Sequence, residues 1–228
     1  MSKDFEYTGK KFLEVIHDAV NYNNFLEKEL CNFIGEKSSA IDFGAGAGEF
    51  AIRLKQKNKE IICVEADEEL CRNLQRNGLV VYKALEDAPL ISRVYHSNVL
   101  EHIEDDVNIL RIMHAKLQDN GKMFIYVPAF MCLYSEFDKL IGHYRRYTKN
   151  ELVEKLKSAG FSIERAEYVD SVGFVCWFIL SRICPNNVAG SSRMVIIYDR
   201  FLFPISRFFD KFFNKFFGKN LLIIATKN

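Results

Sequence analysis

The stretch Ala40-Ile41-Asp42-Phe43-Gly44-Ala45-Gly46-Ala47-Gly48-Glu49 decides how this chain folds. Its first four residues read as a short strand, and three glycines on alternate positions then turn the chain sharply into a helical pattern from Glu49 to Gln56. Without a Cβ at Gly44, Gly46 or Gly48 the backbone can come closer to a ligand than a side chain would allow. Strand, glycine turn and helix in that order are how a Rossmann-like sheet grips a nucleoside. The dinucleotide fingerprint G-x-G-x-x-G requires its third glycine where this chain has Glu49, and Gly48 comes one residue early. Asp42, just ahead of the loop, would repel a pyrophosphate and suits a cationic amino-acid group. Together they disfavour a nicotinamide-dependent oxidoreductase.

Outward from the loop the chain alternates short apolar runs with helical stretches, the rhythm of a parallel sheet with crossover helices. Strands are expected at Glu60 to Val64, Leu79 to Tyr82, Val94 to Ser97 and Lys122 to Val127. Helices are expected at Glu68 to Asn77 and Asp106 to Leu117, the latter stopped by Asn120-Gly121. Thr148-Lys149-Asn150-Glu151 reads as a capping box for a helix that runs to Ala159 and ends at Gly160. Two more strands follow, Ser162 to Val169 and Leu221 to Thr226. Upstream, Phe12 to Ile34 reads as two helices interrupted around Asn21-Tyr22-Asn23-Asn24. The expected whole is one α/β domain over residues 1–228: N-terminal helices to 36, a cofactor-binding core over 37–170, an insertion over 171–219 and a final strand over 220–228.

At 228 residues and 49% hydrophobic content the chain can bury one sizeable core. A formal net charge of +1 supplies no field that would draw it to nucleic acid. Six cysteines stand without a C-x-x-C pair, which fits a reducing, cytoplasmic compartment. The N-terminus does not read as a signal peptide, and the longest uncharged apolar run, Val172 to Leu180, is too short to span a bilayer.

Glu65 closes the second strand about 20 residues after the loop begins, where a carboxylate can accept both ribose hydroxyls. Asp67 lies beyond that strand and reads as a helix cap. With these residues, the stretches Ser97 to Asp106, Tyr126 to Ala129, Leu133 to Asp138, Gly142 to Thr148 and Ala159 to Phe161 resemble class I S-adenosylmethionine-dependent methyltransferases, of the bacterial type 11 and 12 grouping, over nearly the whole chain. The resemblance implies a seven-stranded sheet with its last strand antiparallel, and S-adenosyl-L-methionine as cofactor. It implies that Asp42, Gly44, Ala45, Gly46 and Gly48 hold the methionyl part, Glu65 with Ala66 the ribose, Leu85 and Glu86 the adenine, and Asn98 with Val99 the edge nearest the sulfonium. A glycan, lipid-linked or small-molecule acceptor, methylated at oxygen, is the expected partner. The competing expectation is a non-catalytic binding subunit of the same fold.

An oxygen acceptor must lose a proton, and the histidines His143 and His102 follow the fifth and fourth strands, at the edge where open α/β sheets place their sites. His143 stands among Tyr134, Asp138, Tyr144, Arg145, Arg146 and Tyr147. His143, Tyr144, Arg145 and His102 are the expected catalytic group. The bland alternative is that Asp138 pairs with an arginine and the cluster merely fastens its loop. Either arginine could clamp an anionic acceptor, but adjacent residues of an extended chain point opposite ways, so one of the two faces the site. No His, Cys and carboxylate set shows metal-ligand spacing, so no metal is expected.

From Ser171 to Gly218 the chain is rich in Phe. Phe208, Phe209, Phe212, Phe213, Phe216 and Phe217 recur at helical spacing, with Arg207, Lys211 and Lys215 on another face. Such stripes are usually core, so packing against the sheet, or pairing of two copies as a homodimer, is the leading expectation. The others are a lid over a greasy acceptor and a peripheral contact with the inner face of the membrane.

Overall fold

The computed structural model describes residues 17–36, 38–183 and 192–228. Seven strands form one sheet: β1 (Ser39–Phe43), β2 (Glu60–Val64), β3 (Val80–Tyr82), β4 (Ile91–Ser97), β5 (Leu117–Pro128), β6 (Phe161–Val169) and β7 (Asn220–Lys227). Their order is β3-β2-β1-β4-β5-β7-β6. The first five pair in parallel, and β7 runs antiparallel to both β5 and β6, as expected. Around the sheet lie α1 (Val20–Ile34), α2 (Glu49–Gln56), α3 (Glu68–Arg76), α4 (Asp106–Lys116), α5 (Glu136–Leu140), α6 (Lys149–Ser158), α7 (Ser171–Ile183), α8 (Ser192–Ile197) and α9 (Phe203–Phe213).

Successive side chains of a strand point to opposite faces, and in β1 both faces are buried. Ala40 packs with Leu26 and Leu30 of α1 and Ala51 and Leu54 of α2. Ile41 packs with Leu110 and Met113 of α4 and Leu152 and Leu156 of α6. Strands covered twice read as continuous apolar runs, which is why Ile61-Ile62-Cys63-Val64 shows no alternation. Each fully buried leucine here contributes about 1.5–3 kcal/mol.

Local signals hold where their partners are local. Asp67 accepts from the Glu69 and Leu70 amides and caps α3. Thr148 accepts from the Glu151 amide at 3.4 Å, but Glu151 turns to Lys155 at 3.3 Å, so only half of the capping box forms.

Three expectations change. The Asn21–Asn24 stretch does not interrupt a helix: it is the first turn of α1, because Asp199 accepts from the Asn21 and Tyr22 amides, both at 2.8 Å. The helix expected upstream of it lies mainly in residues outside those described. Asn120-Gly121 does not separate α4 from a later strand. Leu117 already pairs with Ile91, and the left-handed Asn120 (φ +58°) sits in a bulge within β5.

The aromatic stripe is not core. Helix α9 buries Phe203, Ser206 and Asp210, whereas Phe208, Phe209, Phe212 and Phe213, and Phe216 beyond it, are exposed. The reason lies on the buried side, where Asp210 accepts from the Asp170 and Ser171 amides at 2.9 and 2.8 Å and the Ser206 hydroxyl accepts from Val172 at 3.0 Å. These groups cap the start of α7, so the polar face of α9 must point inward. Among the described residues no helix is long and apolar enough to cross a membrane. The five described cysteines are free thiols, and Cys184 lies outside the described residues.

Candidate active site

The glycine loop is pinned to the end of β2: the Gly44 and Ala45 amides donate to the Val64 carbonyl at 2.8 and 3.2 Å. Gly44, Gly46 and Gly48 all lie in the left-handed region, at φ +71°, +56° and +84°. A Cβ on Gly44 would fall 2.6 Å from Cγ2 of Val99, so the loop passes flush against the end of β4 only because the side chain is missing.

Glu65, directly after β2, accepts from the Gly46 amide at 2.8 Å and from the Asp67 amide at 2.9 Å. Its carboxylate is thus fixed beneath the loop. Asp42 is 5% exposed. Burial pushes its carboxyl up to about 7, the Tyr95 phenol opposing and the Glu65 charge adding to the rise. A buried carboxyl that lacks a counter-ion gains most from an incoming cation.

Asn98 stands at φ +54°, with its amide donating to the Tyr126 carbonyl at 2.8 Å and its side-chain nitrogen 3.5 Å from the Tyr22 hydroxyl. The ends of β1, β2 and β4 therefore bring Asp42, Gly44, Ala45, Gly46, Glu65, Asn98 and Val99 to one edge. Leu85 differs: it is buried in the core within the short turn Leu85–Asp87, while Glu86 and Ala66 are exposed.

The second half of the site is the loop after β5. Ser135 and Asp138 form the capping box of α5, which fixes the Asp138 carboxylate. Asp138 is fully buried and binds His143 Nδ1 at 2.8 Å, Arg146 Nε at 2.8 Å and Arg146 Nη2 at 3.0 Å. Burial raises its pKa, but the His143 hydrogen bond and the Arg146 guanidinium outweigh it and hold the group at about 2. A carboxylate on Nδ1 selects the tautomer protonated there and leaves Nε2 as the acceptor. That Nε2 lies 3.7 Å from Glu101 Oε1.

Glu101 is fully buried, and neither carboxyl oxygen has a hydrogen-bond partner among the described residues. Burial pushes its pKa up to about 8, with Arg146 opposing and Asp138 adding. The His102 ring stands edge-on to His143 with centroids 4.5 Å apart, and burial together with His143 brings its pKa down to about 4. Backbone bonds hold the arrangement: Tyr144 N to Glu101 O at 2.8 Å and the Tyr134 hydroxyl to His143 O at 2.6 Å.

Ligand atoms of Glu101, His102 and His143 lie within 4.8 Å of one another, a set that their spacing along the chain does not display.

Of the two arginines, Arg146 faces His143 and is buried. Arg145 turns away, with Nη1 at 2.8 Å from Asp106 and Nη2 donating to Glu104 O at 2.7 Å. Tyr147 and Lys155 reach the same Asp106. Tyr144 is exposed. Sequence reasoning passed over Glu101 as a site residue, since it stands in the polar run Glu101 to Asp106 and nothing local announces its burial. It also passed over Trp177, whose Nε1 donates to Leu133 O at 2.9 Å and whose ring lies 5.5 Å from the Arg146 guanidinium.

Comparisons with known proteins bear on the family and the fold. A family model described as a methyltransferase domain matches residues 19–166. A solved S-adenosylmethionine-dependent methyltransferase from Archaeoglobus fulgidus is similar at TM-score 0.61 and 19% identity, over 90% of this chain and 94% of that one. A possible histamine N-methyltransferase from Thermotoga maritima is similar at TM-score 0.59 and 16% identity, over 97% and 98%. Geranyl diphosphate C-methyltransferase from Streptomyces coelicolor is similar at TM-score 0.62 and 11% identity, over 90% and 79%. No curated protein sequence matches the chain. The chain belongs to the methyltransferase domain family and carries the class I S-adenosylmethionine-dependent methyltransferase fold.

Proposed function

We propose that the protein transfers a methyl group from S-adenosyl-L-methionine to an oxygen of a small-molecule, glycan or lipid-linked acceptor. The whole chain works as one domain on the cytoplasmic side, peripheral to the membrane. The observation that carries this reading is the Arg146, Asp138, His143, Glu101 line built next to the cofactor edge.

The residues at that edge fit the cofactor. The Cβ-free loop leaves room for it, Asp42 is a buried carboxyl in want of a cation for the methionyl ammonium, and Glu65 is fixed where ribose hydroxyls would be received. When bound, S-adenosyl-L-methionine supplies an electrophilic methyl group whose leaving group is a neutral thioether. Asn98 and Val99, just past the end of β4, would line the side from which an acceptor approaches, and holding it there would supply several kcal/mol of the barrier.

In the reaction so assigned the acceptor oxygen would give up its proton, and Nε2 of His143 is the atom that would receive it. Asp138 then stands beside the imidazolium and stabilises it. Neutral His102 and protonated Glu101 keep the surroundings from competing for that charge. Arg145, engaged with Asp106, and exposed Tyr144 are read as holding the loop, with Arg146 as the arginine that serves the site.

The test is His143→Gln, with labelled methyl incorporation into an organic cell extract as the readout. General-base loss predicts a fall of about 10²–10⁴-fold in turnover, with cofactor affinity unchanged. Undiminished incorporation makes His143 a structural residue.

A further inference from the structure

The last helices of the chain are built inside out. On α9 the positions facing the protein are Phe203, Ser206 and Asp210, and the positions facing outward include Phe208 and Phe212, at 56% and 62% exposure. Phe216 follows at 69%. Val175, Phe178, Ile179 and Ile183 of α7 and Met194, Ile196 and Ile197 of α8 are exposed as well. Monomeric soluble proteins seldom leave so many large apolar side chains in one neighbourhood bare.

Charge says what covers this face. Residues 171–219 carry seven of the chain's 31 basic residues but only two of its 30 acidic ones. Those two, Asp199 and Asp210, are both buried on helix N-termini, of α1 and α7. Among the described residues of this segment every exposed charge is therefore positive: Arg182, Arg193, Arg200, Lys211 and Lys215. A second copy of the chain brought against this face by a two-fold axis would set the same cations opposite one another. An anionic lipid surface matches both the aromatic face and the cations.

We propose that α7, α8 and α9 form a monotopic docking face for an anionic bilayer, with Phe208, Phe212 and Phe216 entering the interface and Lys211 and Lys215 at the headgroups. The helices, of 13, 6 and 11 residues, lie on the membrane and do not cross it. The face adjoins the site, since Trp177 of α7 touches Phe137 and Arg146, and Phe203 of α9 packs on Tyr22, the neighbour of Asn98. Resting on the methyl-transfer reading above, this placement assigns the acceptor's hydrocarbon to the bilayer and its hydroxyl to His143.

Vesicle co-sedimentation of the full chain tests the docking. Vesicles of phosphatidylcholine mixed with phosphatidylglycerol should bind the protein, and phosphatidylcholine alone should bind it less. Phe212→Ser with Phe216→Ser should weaken binding by at least about tenfold, and Lys211→Glu with Lys215→Glu by several-fold. Both pairs are exposed, so unfolding is not expected, and S-adenosylmethionine affinity measured on the same variants should stay unchanged. That second readout separates failure of the docking from failure of the methyltransferase reading. Serine variants that bind like the parent would overturn the proposal, as would a parent that binds neither vesicle, whether as a monomer or as a dimer through this face.

Discussion

Four carboxylates divide the molecule into two halves that obey opposite rules. Glu65 and Asp67 in the cofactor half, and Asp199 and Asp210 in the helical cover, all bind backbone amides. In the cofactor half the partners lie 2 to 19 residues away, and the apolar residues around them face inward. In the cover the partners lie 178 and 39 residues away, and the apolar residues face outward. Where polar groups must be buried to tie an element down, helix amphipathicity no longer says which face is inside.

The largest effect that would sharpen this contrast is on stability. Asp210→Ala strips two amides at the start of α7 of their acceptor and leaves Arg207 without its partner, so a loss of about 2–4 kcal/mol is expected in denaturant melts. Phe212→Ser on the same helix should change stability by less than about 0.5 kcal/mol, because that side chain is mostly exposed. The reverse ranking would show that the aromatic face, and not the polar one, anchors α9.

A smaller effect concerns pH. The folded-state pKa values of Asp42 and Glu101 are raised, so the folded protein holds protons there that the unfolded chain releases above about pH 4–5. Their contribution is fully present below that range and is lost as pH rises through about 7 for Asp42 and about 8 for Glu101. Each group should remove up to about 1.4 kcal/mol per pH unit across its window. Asp138 has the opposite sign: its contribution is present above about pH 4 and is lost as pH falls through about 2. Burial brings His96 down to about 3 and His102 to about 4, and as pH rises to about 6.5 they add stability that offsets the two carboxyls. Stability of the cofactor-free protein should therefore fall mainly between about pH 6.5 and pH 8, and Glu101→Gln should flatten the upper part of that fall. A parent curve flat from about pH 7 to pH 8 would mean that Glu101 is already charged in the fold.

The same division explains what could be read from the sequence. The succession of strands along the chain, the glycine turn and the cap at Asp67 were legible because their determinants are neighbours in the chain, and the convergence of Asp42, Glu65 and Asn98 followed from the family resemblance. His143 was legible as a candidate beside its partner Asp138, but Glu101, 3.7 Å from its ring, comes from the turn after β4 and is buried by packing alone. The outward turn of Phe208 and Phe212 was not legible, since it depends on Asp210 meeting amides at Asp170 and Ser171.

Titration calorimetry with S-adenosylmethionine tests the central claim most directly. The parent should bind it in preference to NAD, and Glu65→Ala should weaken binding by about 10- to 100-fold, the worth of hydrogen bonds to a charged group. His143→Gln should leave affinity unchanged. At pH 6 binding should release protons from Asp42, and Asp42→Asn should abolish the release. No binding by the parent, or undiminished affinity in Glu65→Ala, would contradict the assignment of this edge to the methyl donor.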